Sequence, residues 1–340
     1  MKTGKAAEAV LERSVLKAVN EQQEGNRKVT RAGVGKDAGL FALSQSEGHL
    51  AMSCAQHCGT EQHAASLAVF RACNSLAAAG AVPGFVTVQL TLPEAAKETE
   101  VKELMAELLE ACKKAKVTLV QGHTEISSGV QAPLISVTAL GTADSLECAK
   151  EGSLSEAEKQ GLELVMTKYA GLAGTALLAD KYHARLQARY PSFLLQKAEA
   201  LYDMVSVQPE AELSKSFGVA AMHDVAEGGV FGAVWELAKR EDIGLTLDLK
   251  KIPIRQETVE LCEFFDINPY QLKGDGALLI LTEKSARLLA ALKEAGIPAA
   301  VIGMVTEGND RIIRNEEEIR FLEPTRIEEY DQIEIFNFEN

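Results

Sequence analysis

A chain of 340 residues is longer than one hydrophobic core usually serves, so two domains are expected, and its net charge of −14 argues against nucleic acid as a partner. With 46% apolar residues, 25% charged residues and no run of 18 apolar residues, it reads as globular, neither disordered nor membrane-spanning. Six scattered cysteines without a disulfide framework, and a charged amphipathic start unlike a signal peptide, lead us to expect a reduced, cytoplasmic protein.

Residues 6–20 place Val10, Leu11, Val15 and Val19 on one side and predict a helix. Residues 21–39 are polar and glycine-bearing, as a loop is. Two short strands are expected around Glu47-Gly48, then a helix over 63–80 and a strand over 85–93 that Pro93 stops. A helix at 94–116, a strand at 117–122 closed by Gly122 and a strand at 133–141 follow. The polar stretch 142–160 is read as the domain junction. Beyond it come a strand at 162–168, a glycine-bearing loop and helix, two further helices, and a helix from Val230. The pattern closes with a strand at 245–249, a helix at 257–265, a strand at 277–282, a helix at 285–296, a strand at 299–308 and a hairpin turning at Asn315. Strands and helices mix without strict βαβ alternation. The expected class is therefore α+β (α/β), in two domains, 1–150 and 151–340.

Three segments carry chemistry. In Gly33-Val34-Gly35-Lys36-Asp37 the glycines free the backbone to approach a ligand, Lys36 can meet a phosphate and Asp37 can bind a hard cation; an ordinary glycine turn is the competing reading. Gln121-Gly122-His123-Thr124-Glu125 would cluster polar side chains at the carboxyl end of a strand, or simply cap a turn. Met222–Gly229 precedes an apolar helix. There Asp224 and Glu227 could hold magnesium, and the free N–H groups beside Gly228 and Gly229 suit phosphate; an N-cap is the plainer alternative. Lys168 with Gly171 and Gly174, and Lys273–Gly276, are weaker signals. Cys54, His57, Cys58 and His63 are metal-capable but lack a second cysteine pair, so scattered thiols are the better reading than zinc.

Taken in order, GVGKDAG, CNSLAAAGAVP, VQGHTE, PLISVTALG, VMTKYAGLAGTALLA and MHDVAEGGVFGAVWELA resemble successive blocks of the aminoimidazole ribonucleotide (AIR) synthetase superfamily, in its HypE-like, AIR synthase-related branch. The blocks run from about residue 30 to 306. The resemblance implies an N-terminal barrel-forming domain that builds a homodimer interface, a C-terminal α/β domain, and ATP with Mg2+ in a cleft. It makes Asp37, His123 and Asp224 the catalytic candidates. Gly33, Gly35, Lys36, Asn74, Thr124, Lys168, Gly228 and Gly229 become nucleotide contacts, and Asp37, Asp224 and Glu227 metal ligands. The implied activity is phosphorylation of an amide- or carbonyl-type acceptor, small-molecule or protein-borne. The alternative is a non-catalytic nucleotide- or metabolite-binding homologue that acts as a maturation or interaction factor.

Three departures qualify the likeness. Relatives commonly carry Asn-Asp where this chain has Asn74-Ser75, and a Ser-Thr-Asp-Pro-like segment where it has Met52-Ser53-Cys54-Ala55. Fewer anionic ligands weaken a site for hard cations. HypE also ends in a cysteine, whereas this sequence ends Phe338-Glu339-Asn340, so HypE's thiocarbamate dehydration is not expected in its usual form.

Overall fold

The computed structural model describes residues 8–22, 30, 33–42, 48–143, 154–325 and 328–338. The first half begins with α1 (Glu8–Leu11), a π-helical turn (Glu12–Leu16) and α2 (Lys17–Gln22). Then follow β1 (Ala38–Ala42), β2 (His49–Cys58), α3 (Ala64–Ala78), β3 (Val82–Leu92), α4 (Glu98–Lys114), β4 (Thr118–Ile126) and β5 (Leu134–Ala143). The five strands form one sheet in the order β1-β2-β5-β3-β4. Strand β5 shows the period-two logic: Ile135, Val137 and Ala139 are fully buried, and their neighbours lie on the other face. Helix α3 covers the buried face. Its alanines let it approach closely, and it also touches α4 and the later segments Gln208–Ser214 and Val219–Asp224, so it is buried on nearly every side.

Among the described residues, the opposite face of this sheet is open. Register places Met52, Leu140, Phe85 and Thr118 in one row across four strands, with Met52 41% and Phe85 54% exposed. Strand β4 runs further than the sequence reading allows. Gly122 does not close it; the strand continues parallel to β3, pairing Gly122 with Val88, His123 with Gln89 and Glu125 with Thr91. The apolar run of β3 reaches Leu92, and β4 follows it to the end. His123 and Thr124 are therefore strand residues on an exposed edge, not a loop at a strand's end.

The second half contains α5 (Glu156–Lys159), β6 (Glu163–Thr167), α6 (Leu172–Lys181), α7 (His183–Gln187), α8 (Ser192–Glu199), α9 (Gln208–Ser214), β7 (Val219–Asp224) and α10 (Gly229–Glu241). It continues with β8 (Gly244–Asp248), α11 (Gln256–Phe265), β9 (Leu278–Thr282), α12 (Ser285–Glu294), β10 (Ala299–Thr306), β11 (Arg311–Asn315), β12 (Glu318–Phe321) and α13 (Glu329–Phe338). Its seven-stranded sheet has the order β12-β11-β8-β10-β6-β9-β7. Strand β9 is buried at every residue because helices cover both faces. Leu279 and Leu281 join the core beside α10, whereas Leu278 and Ile280 join the core beside α9 and α12. The expected hairpin is β11–β12, with Glu316 in the left-handed region at φ 58°.

Residues 144–153, most of the expected junction, lie outside the described residues, as do 6–7 and Glu47. The two halves are not insulated from each other. One apolar cluster joins α3 and α4 to α6, α8 and α11. Among the described residues no helix is long and apolar enough to cross a membrane.

Candidate functional site

Strand β7 ends on His223 and Asp224, the chain turns through Val225–Gly228, and α10 begins. Gly229 has φ 61°, and a Cβ there would stand 2.6 Å from the Tyr270 carbonyl oxygen and 2.7 Å from that of Leu272. Only glycine lets the 270–273 segment lie against the start of α10. The segment holding Asp37 reaches the same place by a second close approach. Gly35 has φ 72°, and a Cβ on it would meet the Glu236 carbonyl oxygen at 2.6 Å. Arg240 Nη1 donates to the Gly35 carbonyl at 3.2 Å.

Asp37 from the first half thus meets His223 and Asp224 from the second. One donor atom from each lies within 4.8 Å of the others. His223 Nε2 stands 3.5 Å from Asp37 Oδ2 and 3.6 Å from Glu236 Oε2. Ser75 donates its hydroxyl to Asp224 Oδ2 at 3.3 Å. Burial, with Asp37 nearby, pushes the Asp224 carboxyl up to about 6.

This cluster opens onto a cavity of about 960 Å³ walled by both halves, with Cys54, Cys58 and Ser75 on one side and Asp224, Glu227 and Lys273 on the other. That volume suits a nucleotide-sized ligand. Asp37, Asp224 and Glu227 all line it. Glu227, however, is turned to Arg71: Oε1 accepts from Nη1 at 3.0 Å. Arg71 also grips Asp275 with two bonds of 2.6 and 3.1 Å. Glu227 is thereby drawn toward a cation and is not a member of the three-residue cluster.

Other expected contacts fall elsewhere. Lys168 is buried, with its ammonium on the carbonyls of Met204, Ser206 and Gly276 at 2.6–2.9 Å and on Glu210 at 2.7 Å. Burial lowers its pKa even beside that carboxylate. It ties four segments together and does not line the cavity. The Asn74 amide bridges the Val205 carbonyl and the Val207 N–H at 2.8 and 2.9 Å, so it splints a turn. The Lys36 N–H closes a turn onto the Gly33 carbonyl at 3.2 Å. His123 and Thr124 lie on the open face and edge of the first sheet, outside the cavity lining; register sets His123 in a row with Gln89, Ser136 and Gln56.

The expected phosphate donors at the start of α10 are engaged by the chain itself. Gly228 N–H donates to Glu328 at 2.5 Å, and Gly229 N–H to the Ala226 carbonyl at 3.2 Å. Cys54, His57, Cys58 and His63 do not converge either. Cys54 Sγ meets Thr138 Oγ1 at 3.3 Å, His57 meets Glu61 at 2.9 Å, and His63 stacks on Tyr202 at 3.9 Å.

Sequence reasoning missed Arg71, Glu236 and Glu328. Arg71 had a signal, as the lone cation in the apolar helix AASLAVFRACNSLAA. Two carboxylates and an imidazole nitrogen form a donor set that fits a divalent cation, so Asp37, Asp224 and His223 are the residues that would hold one.

Comparison with known proteins bears on this site. The family model described as AIR synthase related protein, N-terminal domain, matches residues 35–143, and that of the C-terminal domain matches 159–315. A protein of Methanocaldococcus jannaschii named for hydrogenase expression or formation is 26% identical over 251 residues, covering 73% of this chain and 71% of its own. Carbamoyl dehydratase HypE of Rhizobium leguminosarum bv. viciae is 24% identical over 258 residues, covering 73% and 70%. A crystal structure of hydrogenase maturation protein HypE in complex with ATP aligns with a TM-score of 0.66 at 18% identity, over 97% of each chain.

Proposed function

This chain belongs to the AIR synthase related family, and on that premise we propose that it binds ATP with a divalent cation in the cleft between its two halves. It then transfers the γ-phosphoryl group to an amide- or carbonyl-type oxygen of an acceptor, small-molecule or protein-borne. In that step a P–O bond forms to the acceptor oxygen and the bond to the β-phosphate oxygen breaks, releasing ADP. The observation that carries this reading is the meeting of Asp37 and Asp224, 187 residues apart in sequence, at the wall of one large cavity.

The cation would neutralise charge on the transferring group. The chain's own part is positioning: Asp37, Asp224 and His223 fix one point of the cleft, and Lys273 supplies a positive charge on its wall. The ATP-bound HypE of like fold supports the nucleotide, while the dehydration for which carbamoyl dehydratase HypE is named is not part of this proposal. Calorimetric titration with ATP and Mg2+ tests it. We expect one site per chain and its loss in Asp224→Asn; no heat at millimolar nucleotide would sink the reading.

A second reading is a nucleotide- or metabolite-binding homologue without turnover, serving as a maturation or interaction factor. Glu328 on the start of α10 favours it, because it fills an anion site that a phosphate would use. Magnesium-dependent ATP hydrolysis abolished by Asp224→Asn would exclude it.

We further propose a cytoplasmic homodimer joined through the open face of the first sheet. Exposed Met52, Phe85 and Val120 on that sheet, with the unpaired edge of β4, support it. His123 and Thr124 would then serve a site completed across the interface.

A further inference from the structure

Of the groups around the cleft, His223 has the surroundings that discriminate among the cations the donor set could hold. Its side chain is only 4% exposed. Nδ1 lies 2.7 Å from the Asp224 carbonyl oxygen. A carbonyl only accepts, so Nδ1 carries the proton and Nε2 of the neutral ring presents a bare lone pair. That Nε2 is buried and has no hydrogen-bond partner among the described residues. It nevertheless points at two carboxylates, Asp37 at 3.5 Å and Glu236 at 3.6 Å.

A lone pair facing carboxylate oxygens is repulsive unless a positive charge lies between them. A proton on Nε2 would draw a carboxylate to about 2.7–2.9 Å, the usual length of a charge-assisted bond. The separations here are longer. They lie just beyond the roughly 3.0–3.4 Å that separates two ligands bound about 2.1 Å from one ion, so a small inward shift of Asp37 would seat a metal between them. Fixing of one ring nitrogen by a carbonyl, with the other left to a metal, is the usual arrangement of a ligating histidine.

We propose that His223 Nε2 is a direct metal ligand, together with Asp37 and Asp224, and that this makes the cleft a site for a first-row transition metal such as Mn2+ or Zn2+ in preference to Mg2+. Magnesium prefers an all-oxygen shell, whereas an imidazole nitrogen favours the transition ions. Two carboxylates and a neutral imidazole balance a divalent charge. Glu236 flanks the site as a further acceptor, and coordination positions toward the cavity are left for oxygens of a ligand. The inference rests on the reading of this cleft as a metal site, but not on nucleotide binding.

The test is electron-spin-echo envelope modulation of the chelator-stripped full chain reloaded with Mn2+ alone. We expect nitrogen-14 modulation from a bound imidazole in the wild type, and its loss in His223→Gln. Parallel titrations should give Zn2+ or Mn2+ at least about 100-fold tighter than Mg2+, with the preference falling below tenfold in His223→Gln. Asp37→Asn, at an exposed position, should weaken the metal while leaving the nitrogen modulation of whatever Mn2+ remains. Bound Mn2+ without nitrogen modulation in the wild type overturns the inference, as does failure of Mn2+ and Zn2+ to bind. Calorimetry with Mg2+ and ATP on the same preparation separates the two ideas. Nitrogen modulation without nucleotide binding sinks the phosphoryl-transfer reading alone; nucleotide binding without nitrogen modulation sinks the His223 assignment alone.

Discussion

The carboxylate of Glu328 accepts the Gly228 N–H at 2.5 Å and also the Lys273 N–H at 2.9 Å. A residue just ahead of α13 therefore sits on the start of α10, 100 positions earlier in the chain. The helix's free N–H groups and dipole favour an anion there. Burial costs the anion more than these contacts return, and the Glu328 carboxyl is pushed up to about 7 despite Lys273 and the Gly228 bond.

The pH dependence of stability should follow from that displacement. Glu328 titrates higher in the folded chain than the ordinary 4.5, so its contribution is fully present below pH 4.5 and is lost as pH rises through 7. A rise of that size corresponds to about 3 kcal/mol between the two limits. Glu328→Gln removes the titration. Chemical denaturation at pH 5 and pH 8 should show the wild type losing more stability over this span than the variant; parallel losses would refute the assignment.

Arg71 is a buried polar link between the halves, and its removal should be costly. Its guanidinium is buried against Asp275, 1% exposed, and Glu227. Arg71→Met leaves a buried carboxylate without its cation, at a cost of about 3–5 kcal/mol. Arg71→Met with Asp275→Leu should recover a large part of the loss, because the fully buried carboxylate is then gone and the Glu227 carboxylate, 31% exposed, keeps contact with water. Urea midpoints of the two variants decide this, and equal destabilisation by both would contradict it.

Much of the fold was legible because local rules wrote it. The run PLISVTALG marked β5 and the glycine pair after Asp224 marked the start of α10, whereas β7, which carries Asp224, was not foreseen. What failed shares a physical cause. Lys168 looked like a phosphate contact beside glycines, but its carbonyl partners lie 36, 38 and 108 residues away and leave no local trace. Gly122 read as a terminator because glycine often is one, yet pairing with β3 carried the strand past it. Glu227 looked equivalent to Asp224 until Arg71 arrived from the other half of the chain. In each case a long-range partner outweighed a short-range preference.

Asp224 should show opposed effects on stability and binding. Burial raises its carboxyl from the ordinary 3.8 to about 6, so without a bound cation its charge weakens the fold, most of all above pH 6. Asp224→Asn should make the metal-free chain more stable at pH 8 by roughly 1–3 kcal/mol, with the gain shrinking toward pH 4. The same change removes a metal ligand, so added Mn2+ should raise the melting temperature of the wild type and not of the variant. Thermal melts at two pH values with and without Mn2+ measure both effects; a variant less stable at pH 8 than the wild type would contradict the first.

The open face of the first sheet yields the last prediction. Phe85 is 54% exposed and lies in one row with Met52 and Leu140, so three apolar side chains stand side by side with no helix over them among the described residues. Val120, at the register shift of β4, adds a fourth on the same sheet, also 54% exposed. Water-exposed apolar rows beside an unpaired strand edge favour association with a like surface. A symmetric contact would set each Phe85 near its two-fold mate or close to it, so one substitution acts twice. Phe85→Asp places two negative charges in that contact, in a chain that already carries −14. Sedimentation velocity at micromolar concentration should find a dimer for the wild type and a monomer for Phe85→Asp, with unchanged circular dichroism. A monomeric wild type would remove the interface, and with it any role for His123 across the two-fold.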